Sequence, residues 1–349
     1  MSVNIDGKSV SDTNSPFVIA EMSGNHGNQY LNAEKLLVNC AKNGAKAFKL
    51  QTYTPESMTV DCTRPEYVVG KGPWEGRTLF DLYSQGQTPS AWIPDLFNVA
   101  KEVGISIFST PFSPADVDVL EKNNVSAYKI ASFEITYTQL LRYIGQTGKP
   151  VIFSTGLATL DEIKSAVETL RDSGCPELAI LKCSTSYPAK YGSLNLITIP
   201  FLKKEYDVPV GFSDHTIGNT AAVVAVTLGA TILEKHVKLD EDNSSVDSSF
   251  SLPVSDLQSY ISSVEEACLA KGEIQNGPTE DEKSYLRYRR SIVVKKDIKE
   301  GEIFTAENLT IVRPDIGITP SKLENVLGKT ASRNLEFGEG LKLSDINES

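Results

Sequence analysis

The chain is poor in the residues that staple a fold or tether it to a membrane. Its five cysteines, Cys40, Cys62, Cys175, Cys183 and Cys268, form no CxxC pair and leave one over in any pairing scheme. That argues against a disulfide framework and for a reducing compartment, the cytosol. No run approaches the about 20 apolar residues of a membrane-spanning helix, and the opening MSVNIDGKSVSDTNSP has neither a basic start nor an apolar core, so neither insertion nor secretion is expected. Positive charge is also scarce. A net charge of −11 speaks against nonspecific nucleic-acid binding and against a polybasic membrane patch, both of which need lysine and arginine in excess. A small anionic substrate would need a local cationic pocket instead. What remains is ordinary for a globular protein, 40% hydrophobic and 23% charged, enough for a packed core.

Along the first 270 or so residues, short β-rich runs alternate with longer amphipathic segments, the pattern of repeated βα units. Eight strands are predicted: Phe17 to Glu21, Ala47 to Gln51, Ser106 to Ser109, Ala127 to Ala131, Val151 to Ser154, Leu178 to Cys183, Pro209 to Phe212 and Thr231 to His236. Each precedes a helical segment. The first helix, near Leu31 to Asn43, repeats Leu31, Leu36, Leu37 and Cys40 close to a 3.6 period and stops at Gly44. In the fifth, Thr159 and Glu162 form a capping-box pair ahead of Ile163, Val167 and Leu170. Eight consecutive pairs favour a closed (β/α)8 TIM barrel over an open doubly wound sheet, and the length suits one barrel of about 250 residues plus a small second domain. The domain reading is a barrel over 1–276, a linker over 277–290 carrying Arg287, Arg289 and Arg290, and a small, mostly β domain over 291–349.

In such a barrel the active site lies at the C-terminal ends of the strands, and all eight predicted strands end polar. Those ends supply Glu21, Lys49, Gln51, Thr110, Lys129, Ser132, Ser154, Lys182, Ser184, Ser213, Glu234 and His236. A single serine or threonine there has a plain explanation, since strand ends meet turns. Three lysines late in apolar runs do not: a buried ammonium must find an anion or lose its proton. Lys49, Lys129 and Lys182, with Ser132, Ser154 and Ser213 as hydroxyl donors, look like a cradle for a phosphate and a carboxylate. The rival reading is one desolvated lysine forming a Schiff base with a keto acid, as barrel aldolases do. The three histidines, His26, His215 and His236, all fall at or just after strands one, seven and eight, which are neighbours in a closed barrel. Two imidazoles on adjacent strand tops can share a divalent cation and leave positions open to water or a carbonyl; satisfied structural histidines are the alternative, and Glu21 and Asp247 suit either picture.

These residues fall within an ordered series of motifs: IAEMSGNHGN (Ile19 to Asn28), KLQTYTPESMT (Lys49 to Thr59), FSTPF (Phe108 to Phe112), YKIASFE (Tyr128 to Glu134), STG (Ser154 to Gly156), GFSDHT (Gly211 to Thr216) and EKH (Glu234 to His236). Over nearly its whole length the chain resembles the N-acetylneuraminate synthase family, which joins phosphoenolpyruvate to amino-sugar aldehydes to give nine-carbon keto acids. KKDIKEGEIF (Lys295 to Phe304) and VRPDIG (Val312 to Gly317) resemble the antifreeze-like (SAF) domain that these synthases carry behind the barrel. AEMSGNH, GKGPWEGRTLFDLY (Gly70 to Tyr83), KCSTSYP (Lys182 to Pro188) and VDSSFSL (Val246 to Leu252) are most similar to the pseudaminic branch, whereas Tyr53 and Phe212 depart from the sialic pattern.

The resemblance implies phosphoenolpyruvate bound by Lys49, Lys129, Ser132, Ser154 and Ser213, with Thr110 and Ser184 as further candidates. It implies Mn2+ or Mg2+ on His215 and His236, which with Glu21 would form the catalytic group, and an acceptor gripped by Asp247 and Arg313, with Gln51 and Tyr187 lining the pocket. The acceptor implied is 2,4-diacetamido-2,4,6-trideoxy-altrose, the product forming with C–O cleavage and release of phosphate. A sialic or legionaminic acceptor is the nearest alternative and a pyruvate aldolase a distant one. A domain-swapped homodimer is also implied, with Arg313 reaching the neighbouring subunit's site.

Overall fold

In the computed structural model, which describes residues 1–347, the chain divides into two compact units, Met1–Gly272 and a second beginning at Glu273. The first unit opens with a hairpin, β1 (Ser2–Ile5) and β2 (Lys8–Ser11), paired antiparallel. Eight parallel strands follow: β3 (Phe17–Glu21), β4 (Ala47–Thr52), β5 (Ser106–Pro111), β6 (Tyr128–Ile130), β7 (Val151–Ser154), β8 (Leu178–Cys183), β9 (Val210–Asp214) and β10 (Ile232–Lys238). Each pairs with the next, and β10 pairs with both β9 and β3, so the sheet closes on itself. The predicted eight-stranded (β/α)8 barrel is the observed fold. A two-residue strand, β11 (Leu252–Pro253), extends the sheet beside β10.

Strand-borne residues such as Ile19, Phe48, Ile130, Ile152 and Leu181 are fully or almost fully buried, because each strand packs against the barrel interior on one side and the helical ring on the other. The helices form where the amphipathic periods lie. Helix Leu160–Asp172 begins with the expected capping box: the Thr159 hydroxyl accepts from the Glu162 amide at 3.3 Å, and Glu162 accepts from the Thr159 amide at 2.7 Å. It buries Ile163, Ala166, Val167 and Leu170. Helix Tyr30–Lys42 buries Ala33, Leu36, Leu37 and Cys40, and Gly44 takes a φ of +91° just beyond its end. Leu31, expected on the buried stripe, is 74% exposed instead; at about 3.6 residues per turn it lies on the side of the helix opposite Ala33 and the rest of the stripe.

The hairpin was not expected. It lies at the N-terminal end of the barrel strands, where the Lys8 ammonium donates to Ser106 Oγ at 2.8 Å and the Lys46 carbonyl at 3.1 Å, and the Asn4 amide donates to Glu177 at 2.6 Å. Val3, Ile5 and Val10 join the same core as the barrel.

The second unit contains the antiparallel pair β12 (Ser291–Val294) and β13 (Leu309–Val312) and several isolated β-bridges. It is built around its own small core, including Ile292, Phe304, Leu309, Val326, Leu335 and Leu341. Between the barrel and β12, in the segment read as a linker, a short helix Glu280–Lys283 is capped by Thr279. Among the described residues no helix is long and apolar enough to cross a membrane.

Candidate active site

A cavity of about 640 Å³ opens at the C-terminal ends of the strands. Register builds its charged row: His236 pairs with Glu21, Glu21 with Lys49, and Glu234 with Ser213. Neighbouring strand ends therefore place these side chains side by side. The Lys49 ammonium donates to Glu21 at 2.8 Å and lies 3.4 Å from Glu234 Oε2; Lys129 lies 3.6 Å from Glu234 Oε1 and donates to Ser154 Oγ at 2.7 Å. Gln51 donates to Glu21 at 2.8 Å, and Ser213 to Glu234 at 3.0 Å. All four charged groups are at most 2% exposed. Each is tolerable there only because its partners are within ion-pair or hydrogen-bond reach.

Those pairs set the protonation states. Burial pushes the Glu21 carboxyl up, but the His236 ring, the Lys49 ammonium and the Gln51 amide outweigh it and hold Glu21 well below the usual carboxylate range. Burial pulls Lys49 down, but Glu21 and Glu234 outweigh it and raise its pKa. Lys129 differs: burial dominates and lowers it despite Glu234. The expected cradle of bare cations is therefore a mixed row, with two carboxylates already answering two lysines.

Across the mouth stand the two histidines. Their rings lie 5.3 Å apart, centroid to centroid, at 68°. His236 Nε2 is 3.2 Å from Glu21, and burial lowers its pKa, outweighing that carboxylate. Its Nδ1 is buried without a hydrogen-bond partner. His215 Nδ1 is 2.9 Å from the Ser184 carbonyl, which can only accept, so that nitrogen carries the hydrogen and, in the neutral ring, Nε2 keeps the lone pair. Burial would lower His215, but the adjacent Cys183 thiol and the Ser184 carbonyl raise it. Among the described residues no three His, Cys, Asp or Glu side chains form a metal cage. The two imidazoles fit a half-site whose other ligands would be water and substrate oxygens, with the unpartnered Nδ1 as the group that lacks a bonding partner.

Most of the residues singled out from the sequence line this cavity: Glu21, Lys49, Gln51, Lys129, Ser132, Ser154, Tyr187, Ser213, His215, His236 and Asp247. Ser132 is held by the Gly156 amide at 3.0 Å, and a Cβ on Gly156 would come within 2.8 Å of its hydroxyl, so the STG motif needs its glycine. Asp247 accepts from Ser23 at 2.5 Å and from the Gly24 amide at 3.3 Å. Thr110 stands behind the charged row, 3.3 Å from Lys49 Nζ, and Ser184 contributes its carbonyl to His215 rather than a wall of the cavity. Lys182 is not part of the cluster: its ammonium turns to the Cys183 carbonyl at 2.9 Å, away from the cavity lining. His26 is fully buried against Trp92 and is a packing residue. Arg313 follows β13 in the second unit and is exposed.

Several cavity residues were missed. Glu234 stood at a predicted strand end but received no role; the ladder reveals it as the carboxylate shared by both lysines. Glu134 closes the YKIASFE motif with one oxygen buried and unpartnered. Trp74 and Phe250 lie within motifs quoted above, yet single aromatics in loops carry no periodic signal. Cys183, the last residue of β8, reaches the cavity beside His215.

A closed parallel barrel with buried lysines, carboxylates and imidazoles gathered at its C-terminal strand ends is the architecture of a barrel enzyme. Residues 36–276 match the NeuB family and residues 289–347 the SAF domain. The chain belongs to the NeuB family and is a synthase of that kind. It is 40% identical to a pseudaminic acid synthase of Campylobacter jejuni over 330 residues, covering 95% of this chain and 96% of that protein. It is 36% identical to the pseudaminic acid synthase of Helicobacter pylori, covering 96% and 98%. Among solved structures, the N-acetylneuraminic acid synthetase of Leptospira borgpetersenii in complex with citrate superposes with a TM-score of 0.73 at 27% identity, over 83% of this chain and 96% of that one.

Proposed function

We propose that this chain condenses phosphoenolpyruvate with 2,4-diacetamido-2,4,6-trideoxy-altrose and water, giving the nine-carbon keto acid and inorganic phosphate. The observation that carries the reading is the buried row Glu21, Lys49, Glu234 and Lys129 facing a pair of imidazoles. The likeness to two pseudaminic acid synthases supports the acceptor.

Phosphoenolpyruvate takes over lysine contacts that the carboxylates fill in the free cavity, with Ser132, Ser154 and Ser213 donating to its oxygens, while Thr110 and Ser184 act from behind, on Lys49 and His215. Glu234, bonded to Ser213 and with Oε2 lacking a hydrogen bond, is the carboxylate that yields. Binding both substrates in one pocket places C3 of the enol against the aldehyde carbon, so the encounter becomes effectively unimolecular. A divalent cation, Mn2+ or Mg2+, held by His215 and His236 supplies Lewis-acid polarisation of the aldehyde oxygen when bound. As the C3–C1 bond forms, positive charge develops at C2. Glu21, ionised and beside both Lys49 and His236, accepts a proton from the water that adds there. The proton Glu21 receives passes to the former aldehyde oxygen, now an alkoxide; the tetrahedral carbon then expels phosphate, the C–O bond electrons leaving with it, and the C2 hydroxyl gives its proton to the departing phosphate as it becomes the keto oxygen. Asp247, Gln51 and Tyr187 hold the sugar.

The same proposal covers a homodimer in which Arg313 reaches the sugar in a second copy's site, and the cytoplasm as the place of action, in keeping with five free thiols among the described residues. Phosphate release with phosphoenolpyruvate and each candidate sugar tests the reading. The 2,4-diacetamido-6-deoxy sugar is expected to release phosphate at least tenfold faster than N-acetylmannosamine, and a chelator to abolish it. Borohydride trapping of pyruvate on a lysine would instead establish an aldolase.

A further inference from the structure

The cavity has two chemically distinct halves, an inner one with the charged row and the imidazoles and an outer, aromatic one of which the reaction described above uses Tyr187 alone. The outer half is shaped by a strap, Val68 to Thr78, that leaves the barrel after β4 and closes on itself. Val68 and Thr78 form a β-bridge, the Val69 amide donates to Arg77 O at 2.9 Å, and the Gly76 amide donates to Val69 O at 2.8 Å. Gly72 and Gly76 occupy the left-handed region, with φ of +97° and +83°, which lets so short a segment double back. At its tip stands Trp74.

The indole Nε1–H donates to the Val246 carbonyl at 2.6 Å. That contact uses the only polar atom of the side chain, so whatever else meets the ring meets hydrocarbon. The ring lies 5.5 Å from Tyr187 and 5.9 Å from Phe250. Tyr187 in turn is 4.4 Å from the His215 ring, and Phe250 is 5.3 Å from the His236 ring. An unbroken aromatic wall therefore runs from the two imidazoles to the strap. Val69, Leu79 and Leu82 line the same cavity. A hydroxyl seated against the Trp74 and Phe250 rings, away from the Tyr187 phenol, would give up its water without a replacement partner, whereas a methyl group would gain contact.

We propose that the outer half is an apolar subsite for the methyl-bearing parts of the acceptor, and that Trp74 is a specificity-determining residue selecting a deoxy carbon or an N-acyl methyl over a hydroxyl. The inference rests on the reading that the acceptor is an amino-sugar aldehyde, and it adds what the cavity recognises in one.

Two measurements test it. The chain has two tryptophans, and Trp92 packs on His26 and Tyr30 outside the cavity lining, so Trp92→Phe leaves Trp74 as sole reporter. Its emission is expected to shift on titration with the 2,4-diacetamido-6-deoxy sugar and to stay within a tenth of that shift with phosphoenolpyruvate alone. In the second, Trp74→Ala is expected to raise KM for that sugar roughly 10- to 100-fold, the scale on which apolar pockets discriminate. KM for phosphoenolpyruvate stays within about twofold, and the preference for the 6-deoxy sugar over its 6-hydroxy counterpart falls by a similar factor. Trp74→Phe, which keeps a ring but loses the bond to Val246, retains most of the preference and separates apolar selection from anchoring of the strap. Unchanged preference in active Trp74→Ala, or an equal emission shift with phosphoenolpyruvate alone, overturns this inference. Absence of phosphate release by the unaltered chain with every amino sugar overturns the reading beneath it.

Discussion

At the N-terminal end of the barrel, the β1–β2 hairpin packs Val3 and Ile5, both fully buried, and Val10 against the barrel core. At the C-terminal end, Glu21, Lys49, Lys129 and Glu234 are just as inaccessible, yet charged and joined to one another. One end is filled with groups that gain free energy by leaving water; the other holds groups that lose hydration and recover only part of it from partners. The difference teaches that burial at the two ends serves separate ends: packing at the floor fixes the cylinder, while desolvation at the mouth raises the strength of every contact a substrate can make. Substitutions at the two ends should therefore separate activity from stability.

The largest effect is expected at the mouth. Lys129→Met removes an ammonium whose pKa burial already lowers, and leaves Glu234 with Lys49 and Ser213. The fold should lose little, with a melting temperature within about 3 °C of the unaltered chain, since a methionine of similar length fills the space and the lost pair carried a desolvation cost. Activity should fall by about three orders of magnitude in kcat/KM for phosphoenolpyruvate, the scale of a preorganised charged contact in a dry site. Steady-state kinetics beside a thermal melt decide it; an equal loss in both would mean Lys129 is structural.

At the floor the effects should invert. Ile5→Ala removes a fully buried side chain from the hairpin and should destabilise the barrel unit by about 3 kcal/mol through lost transfer energy and an unfilled cavity. kcat at a temperature where the variant remains folded should match the unaltered chain. Denaturant unfolding followed with activity as a second probe tests both halves of the statement; a fall in kcat without unfolding would show that the plug shapes the mouth.

How much of this was legible before the structure follows the same division. Strands such as Val151–Ser154 and Leu178–Cys183 were readable because a fully buried parallel strand is a short apolar run, and the cap at Thr159 because its partner lies three residues on. The polar strand ends were readable as a set, for the barrel rule says where they gather. What could not be read was which residue each would face. Lys182, alike in sequence to Lys49 and Lys129, turns to a backbone carbonyl instead, and Glu234 acquires its importance only from the register that sets it between two strands' lysines. The hairpin plug escaped because its strands, SVNI and KSVS, carry only three inward apolar residues, Val3, Ile5 and Val10, and its polar contacts reach far along the chain, as the Asn4 amide does to Glu177.

The smallest expected effect falls where the two ends meet in one side chain. Glu134 lines the mouth, but like a floor residue it lacks a charged partner within bonding distance: one carboxyl oxygen is buried without a hydrogen bond. Burial, only partly offset by its own amide and by Lys129, pushes its pKa up to about 7 from 4.5. The folded state therefore holds this proton more tightly than the unfolded chain. Below pH 4.5 both states are protonated and Glu134 favours the folded form fully; as pH climbs from 4.5 towards 7 the unfolded chain alone gives up the proton, and that stability is lost. The loss is complete above pH 7; a rise of about 2.5 pH units at 1.36 kcal/mol each gives about 3.4 kcal/mol, which partial exposure reduces to roughly 2 to 3 kcal/mol. Glu134→Gln cannot ionise, so it should be more stable than the unaltered chain at pH 8 by about that amount and no different at pH 4.5. Paired melts at the two pH values measure the difference, and equal gains at both would mean that the substitution acts through packing rather than through the buried proton.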